Sequence, residues 1–135
     1  MILIDANIYL EVALGQEKAG DCASLLSAIS QGKLQATVTS FSMHAVEAAL
    51  RNGTRTAEFL ENVQNSRGLR VYATTIAEEQ FASALAEKIG RDFDDSLQYF
   101  VAKKVGAKAI VSLDGHFNRL DLPRFAPREA LETIG

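Results

Sequence analysis

The 135-residue sequence contains one cysteine, two prolines and no tryptophan. Because Cys22 has no partner within the chain, we expect no internal disulfide, which argues against a disulfide-stapled secreted scaffold. The longest apolar runs, such as residues 1–4, are far shorter than the ~20 residues that cross a bilayer. No basic segment precedes that run and Asp5 follows it, which is unlike a signal peptide. These absences predict a cytoplasmic protein that does not associate with a membrane.

The chain also lacks an excess of basic residues, with 14 Lys and Arg against 17 Asp and Glu and a net charge of −3. Taken alone, this balance disfavours a nucleic-acid-binding surface, which usually carries positive charge. The net charge would be a poor guide to nucleic-acid binding if several of the acids were concentrated in one metal site. Length and the absence of linkers, repeats and low-complexity tracts predict a single domain over residues 1–135.

Short apolar runs alternate with longer helical patterns along the chain. Strands are predicted at the following positions: 1–4, 36–39, 69–72, 109–113 and, as an edge strand because of its proline, 123–125. Apolar residues with helical spacing predict helices around these positions: 22–29, 43–50, 59–63, 81–89 and 97–105. The alternation predicts a parallel sheet covered on both faces, in a three-layer α/β/α sandwich.

The two most apolar predicted strands each lead into an aspartate, Asp5 and Asp114. In open α/β sheets, ligands bind outside the carboxyl ends of the strands, so neighbouring strands would bring these two carboxylates to one rim. Each aspartate also has a structural interpretation. Asp5 is a favoured residue type for capping the helix that follows, and Asp114-Gly115 is a common turn dipeptide.

Two further sets of acids occupy unusual positions. Glu47 lies on the helix that follows the second strand, one residue away from its apolar stripe, and a solvated boundary residue is the structural alternative. Asp92, Asp94 and Asp95 open the last of the predicted helices, where acids are stabilised by the helix dipole. Three acids within four residues nevertheless exceed what capping requires.

Carboxylates that converge on one rim repel one another unless a cation lies between them. Oxygen ligands without a cysteine pair or a histidine pair favour a hard ion such as Mg²⁺ or Mn²⁺. Such an ion lowers the pKa of a bound water and balances the charge of a phosphate group. The pattern of acids therefore predicts phosphodiester hydrolysis.

Four motifs, in chain order, resemble those of the PIN-domain ribonucleases. They are MILIDAN at residues 1–7, SMHAVE at 42–47, DSL at 95–97 with GA at 106–107, and SLDGHF at 112–117. The resemblance covers nearly the whole chain, and its length is similar to that of stand-alone members, notably the VapC-type toxins of toxin–antitoxin pairs. Two departures are Ser96, where the family more often has alanine, and His116, where it often has a charged residue.

The resemblance implies a Rossmann-like sheet in the order 3-2-1-4-5 and Mg²⁺- or Mn²⁺-dependent cleavage of single-stranded RNA, often by a homodimer. It implies that the catalytic and metal-binding residues are Asp5, Glu47, Asp95 and Asp114, and that Asn7 and Ser112 orient the carboxylates or metal-bound water. It does not decide whether Asp92 or Asp94 also takes part. A toxin would also have an antitoxin protein as its partner. Without the four ligands, the chain has 14 basic and 13 acidic residues, so its remaining surface need not repel RNA.

Two other functions are compatible with this fold class. The first is a non-catalytic interaction module of the same fold, in which the acids are structural. The second is a phosphotransfer enzyme of the haloacid-dehalogenase type, whose chemistry requires D-x-D after the first strand. Asn7 occupies the third position of that motif here, which argues against the second alternative.

Overall fold

The computed structural model describes residues 1–134; Gly135, the last residue of the expected domain, lies outside them. The strands in this part of the chain are β1 (Ile2–Ile4), β2 (Ala36–Thr39), β3 (Leu69–Tyr72), β4 (Ile110–Val111) and β5 (Arg124–Phe125). The helices are α1 (Ala6–Ala13), α2 (Ala19–Ser30), α3 (Ser40–Leu50), α4 (Gly53–Asn65), α5 (Ile76–Ile89), α6 (Phe93–Lys104) and α7 (Pro127–Thr133). Within residues 1–134, no helix combines the length and the apolar character that a membrane crossing needs.

The five strands form one all-parallel sheet in the order β3-β2-β1-β4-β5. β1 lies at the centre, with Leu3 opposite Ile110 of β4 and Ile2 opposite Ala36 of β2. The predicted sheet order and the predicted pairing of the first and fourth strands are therefore confirmed. This pairing matters for function because it places the residues that follow β1 and β4 side by side.

Helices cover both faces of the sheet, which confirms the three-layer architecture. On one face, Ile2 and Ile4 of β1 pack with apolar residues of α1 to α4 and α7. On the other face, Leu3 and Ile110 pack with Val101 and Ala102 of α6. Cys22 is fully buried in the first of these cores, as expected for an inert core residue. Alternating β1 residues thus serve both cores, as the two-residue period of a strand requires.

The structure differs from the sequence prediction in three places. β4 is shorter than the predicted strand at 109–113, although Ser112 N still donates to Phe125 O across the sheet. Phe81 of α5, expected on an apolar face, is 59% exposed and packs against Phe100 of α6, while Ala82 is the buried residue. Helix α7 had not been predicted, because the segment after β5 has only a short apolar pattern.

Candidate functional site

The ends of β1 and β4 form the first part of the site. Asp5 N donates to Val111 O at 3.0 Å, so Asp5 lies directly beside the end of β4. Asn7, in the first turn of α1, donates from Nδ2 to Ser112 Oγ at 3.1 Å and to Asp114 Oδ2 at 3.2 Å. As expected from the order of the strands, Asp5 and Asp114 belong to one hydrogen-bonded network, and Ser112 and Asn7 connect them.

Asp5 is the most deeply placed carboxylate of this network, with 8% of its surface exposed. Its Oδ1 accepts a hydrogen bond from Ala6 N at 2.7 Å, and its Oδ2 accepts one from Ser112 Oγ at 2.8 Å. The pKa of Asp5 is raised to about 6, chiefly by burial and to a smaller extent by the charges of Asp94 and Asp114, while the Ser112 hydrogen bond acts in the opposite direction. The carboxylate therefore lies in a place that strongly favours a nearby positive charge.

The N-terminus of α6 supplies the second part of the site. Asp92 caps the helix, since its Oδ1 accepts a hydrogen bond from Asp95 N at 2.8 Å. Asp95 is buried, and burial together with the charges of Asp92, Asp94 and Asp114 raises its pKa to about 6. His116 Nδ1 lies 3.4 Å from Asp95 Oδ2 and 3.5 Å from Asp114 Oδ1, so the imidazole stands between the two carboxylates. The structure thus brings Asp95 to the same side of the molecule as Asp114.

Asp94 faces the same cluster. Burial raises its pKa, as does the charge of Asp114, and Asp94 in turn raises the pKa of Asp5. Its Oδ1 accepts a hydrogen bond from Gln98 Nε2 at 3.1 Å. Asp92 has a capping role, whereas Asp94 adds a negative charge to the cluster, so the two acids that the sequence left undecided differ in their surroundings.

Gln98 is a residue of this region that the sequence analysis missed. It is completely buried, and its Nε2 group also donates to Ser42 Oγ at 2.9 Å, while Thr39 Oγ1 donates to its Oε1 at 3.4 Å. The network joins α6 to the junction of β2 and α3. A polar residue between Leu97 and Val101, on the apolar side of a buried helix, was the signal that could have revealed it.

Glu47 has different partners from the aspartates. Its side chain is 27% exposed, and its Oε1 lies 3.0 Å from His44 Nδ1, one helical turn away. Glu47 is not among the charges that raise the pKa of Asp5 or Asp95, whereas Asp114 raises both. The structure therefore brings together three of the four predicted ligands and leaves Glu47 paired with His44.

The donor set fits a hard divalent cation. Every carboxylate of the cluster offers oxygen. The pKa values of Asp5 and Asp95 are raised chiefly by burial and also by the charges of neighbouring aspartates. Within the described residues, no three His, Cys, Asp or Glu side chains are arranged closely enough to hold a metal ion by themselves. Mg²⁺ does not need three protein ligands, because it usually keeps several water molecules and binds one or two protein carboxylates.

A comparison with protein families and solved structures places this geometry in context. The family model described as "PIN domain" matches residues 1–116. The crystal structure of Mycobacterium tuberculosis VapC20, described as a sarcin–ricin loop cleaving toxin, aligns with a TM-score of 0.67 and 21% identity over 85% of this chain and 91% of that one. A toxin–antitoxin complex from Klebsiella pneumoniae aligns with a TM-score of 0.71 and 12% identity over 94% of this chain and 98% of that one. No curated protein matches the sequence.

Proposed function

Because this chain belongs to the PIN domain family, we propose that it is a metal-dependent endoribonuclease that cleaves phosphodiester bonds of single-stranded RNA. The observation that supports this proposal most directly is the gathering of Asp5, Asp95 and Asp114 at the carboxyl ends of β1 and β4. Burial and mutual repulsion leave the first two of these with raised pKa values. Such a cluster costs folding free energy, which a bound cation would offset.

The proposed cofactor is Mg²⁺ or Mn²⁺, with Asp5, Asp95, Asp114 and Glu47 as its candidate ligands. One or two of these carboxylates would bind the ion directly, and the others would bind it through its water molecules. When bound, such an ion polarises a phosphate group and lowers the pKa of a coordinated water. Glu47 can contribute Oε2, since its contact with His44 uses Oε1. Its helix, α3, follows β2, whose carboxyl end lies at the same rim as those of β1 and β4.

Asn7 and Ser112 hold the carboxylates in place. Ser112 Oγ donates to Asp5 Oδ2, and Asn7 Nδ2 donates to Asp114 Oδ2, so each contact fixes one oxygen atom in a known direction. Carboxylate oxygens can accept more than one contact, so Asp5 and Asp114 retain lone pairs for a cation. The two residues therefore orient ligands without competing for the ion.

The proposal extends to the biological role, that of a cytoplasmic toxin whose partner is an antitoxin protein and which acts as a homodimer. It is supported by two structures of the same fold, one of a toxin and one solved as a toxin–antitoxin complex. Expression of the chain should arrest growth, and coexpression of a small protein encoded beside it should relieve the arrest. Light scattering of the purified protein should give twice the mass of the 14.6 kDa chain.

The test of the enzymatic proposal is incubation of the purified protein with varied single-stranded RNAs in Mg²⁺, in Mn²⁺ and in EDTA. Cleavage should require a metal, and Asp114→Asn should abolish it while the circular dichroism spectrum stays unchanged. Glu61→Gln, which alters an exposed acid on α4, is the matched control and should cleave normally. RNA that stays intact with either metal, and with no inhibitor present, would contradict the proposal.

One observation favours the alternative of a non-catalytic interaction module. Asp5, Asp92 and Asp114 each cap the start of a helical segment, so each has a structural role independent of any metal. Calorimetry separates the two functions. The module predicts no Mn²⁺ binding, and acid-to-alanine variants that fold and keep their biological effect.

A further inference from the structure

The segment that carries Asp114 is held at its start by Asn7 and Ser112 and near its end by Arg124, whose Nε donates to Asn118 Oδ1 at 3.3 Å. It forms one turn of 3-10 helix at Gly115–Phe117, in which His116 N donates to Asp114 Oδ1 at 3.0 Å. Phe117 is buried in the core and anchors one side of the turn, whereas His116 is exposed. The positions of Asp114 and His116 relative to Asp95 therefore depend on contacts with neighbouring elements.

Arg91 provides such a contact. It lies in the short connection between α5 and α6, and it reaches the backbone of the turn through two arms of its guanidinium group. Nε donates to His116 O at 2.9 Å, and Nη2 donates to Asn118 O at 3.0 Å. A planar guanidinium can hold two carbonyl groups at a fixed separation, which the single ammonium group of lysine cannot do.

The connection that carries Arg91 also positions Asp95. Gly90, in the left-handed region with φ 69°, ends α5, and Asp92 caps α6 through Asp95 N. Arg91 lies between these two residues. Its backbone N donates to Ala86 O at the end of α5, and its side chain binds the turn after β4. Arg91 and Asp95 line the same cavity of about 540 Å³.

The guanidinium group of Arg91 does not form an ion pair with the carboxylates of the cluster. Within residues 1–134, Arg91 forms no ion pair with an acid, although Asp92 is its neighbour in sequence. A guanidinium paired with Asp95 or Asp114 would compete with a metal ion for these ligands. By bonding to carbonyl oxygens instead, Arg91 can fix the geometry of the cluster and leave its carboxylates free.

We propose that Arg91 is a positioning residue of the metal site, which clamps the turn after β4 to the start of α6 and so sets the separation of Asp114 from Asp95. The inference rests on the proposed function, because it assigns Arg91 a role in binding the metal that the nuclease would use. Mutation of a residue that positions the ligands without binding the metal typically lowers metal affinity by about 10- to 100-fold.

The test compares the full-length wild type with Arg91→Ala, Arg91→Lys and a control, Arg70→Ala, at an exposed position of β3 at the other edge of the sheet. Amide exchange at His116 and Asn118 reports the clamp directly, because these amides donate within the turn, to Asp114 Oδ1 and Gly115 O. Both Arg91 variants should exchange faster there. Calorimetry should show Mn²⁺ affinity falling by about 10- to 100-fold in Arg91→Ala. The Mn²⁺ concentration that gives half-maximal cleavage should rise accordingly, while Arg70→Ala keeps the wild-type value of both.

Added methylguanidinium should restore Mn²⁺ affinity to Arg91→Ala but not to Asp114→Asn, which lacks a ligand. Unchanged exchange at His116 and Asn118 in folded Arg91→Ala would refute the clamp. Faster exchange with unchanged Mn²⁺ affinity would refute the positioning role. If the wild type itself binds no Mn²⁺, the proposed function fails and the positioning role fails with it, while the exchange measurement still decides whether the clamp exists.

Discussion

Ser112 Oγ donates a 2.8 Å hydrogen bond to Asp5 Oδ2, joining two residues that are 107 positions apart in the chain. Ser112 is completely buried, and the same oxygen accepts hydrogen bonds from Asn7 Nδ2 and from Asp114 N. One hydroxyl group thus connects the ends of β1 and β4 and the start of α1. The relative positions of Asp5 and Asp114 depend on it.

We expect Ser112→Ala to weaken both metal binding and the fold. The substitution leaves Asp5 Oδ2 without its hydrogen-bond donor in a buried position, which typically costs about 1–3 kcal/mol of unfolding free energy. Asn7 Nδ2 keeps its contact with Asp114 Oδ2. Mn²⁺ affinity should fall by about 10- to 100-fold. Urea unfolding and calorimetry measure the two effects, and Ser24→Ala, at an exposed position of α2, is the control. Equal Mn²⁺ affinity in wild type and Ser112→Ala would show that the hydroxyl does not orient the site.

We expect Asp5→Asn to stabilise the metal-free protein at pH 7 while it abolishes cleavage. The pKa of Asp5 is about 6 in the folded chain against an ordinary value of 3.8, so folding takes up a proton between about pH 4 and pH 6. The unfolding free energy of the metal-free wild type therefore falls as the pH rises through this window, by about 2–3 kcal/mol for this group. Asparagine carries no charge, so the variant should lose this part of the pH dependence.

The measurement is urea unfolding of both proteins in EDTA at pH 5 and pH 7, with Glu61→Gln as the exposed control. Mn²⁺ should raise the melting temperature of the wild type more than that of Asp5→Asn, since a bound ligand stabilises only the protein that binds it. A wild type whose stability does not change between the two pH values would argue against a strained Asp5 carboxylate.

We expect Gln98→Leu to destabilise the fold by about 1–3 kcal/mol, although leucine is apolar and of similar size. The reason is that Ser42 Oγ and Asp94 Oδ1 both lose their donor in a buried region. Gln80→Leu, at an exposed position of α5, should be close to neutral. Equal urea midpoints for the two variants would mean that the buried hydrogen bonds of Gln98 make no net contribution to the free energy of unfolding.

We expect Glu47→Gln to reduce cleavage strongly and His44→Ala to leave it nearly unchanged. The first variant removes a carboxylate and keeps a hydrogen-bonding partner for His44, whereas the second removes the imidazole of the 3.0 Å pair between His44 Nδ1 and Glu47 Oε1 and keeps the carboxylate. Initial rates at several Mn²⁺ concentrations measure the difference. If the two variants have equal activity, Glu47 is only the partner of His44 and does not belong to the metal site.

Much of the fold could be predicted from local patterns. The apolar runs that became β1 and β4 are buried on both faces, and such strands lie at the centre of parallel sheets. The start of α5 has a local cause that is visible in the sequence, the capping box of Thr75 and Glu78. The exposure of Phe81 could not be predicted in this way, because helical spacing identifies an apolar face but does not show whether another element covers it.

The candidate site was predictable only in part. That Asp5 and Asp114 would meet followed from their positions after neighbouring strands. The contact of His116 with Asp95 could not be predicted, because it depends on how the start of α6 packs beside the end of β4. The pairing of Glu47 with His44 was visible in their three-residue spacing. Whether Glu47 joins the metal site stays a prediction.

By itself, the sequence determined the order of strands and helices and the placement of acids after two central strands, because hydrophobic periodicity and residue type are local properties. Only the tertiary structure decided which oxygen atoms face one another, which acids are buried, and that Arg91 and Arg124 both bind the segment after β4. These are properties of side chains from distant segments packed together. Burial and electrostatic repulsion act between residues that are close in space but distant in sequence, so local sequence patterns do not predict them.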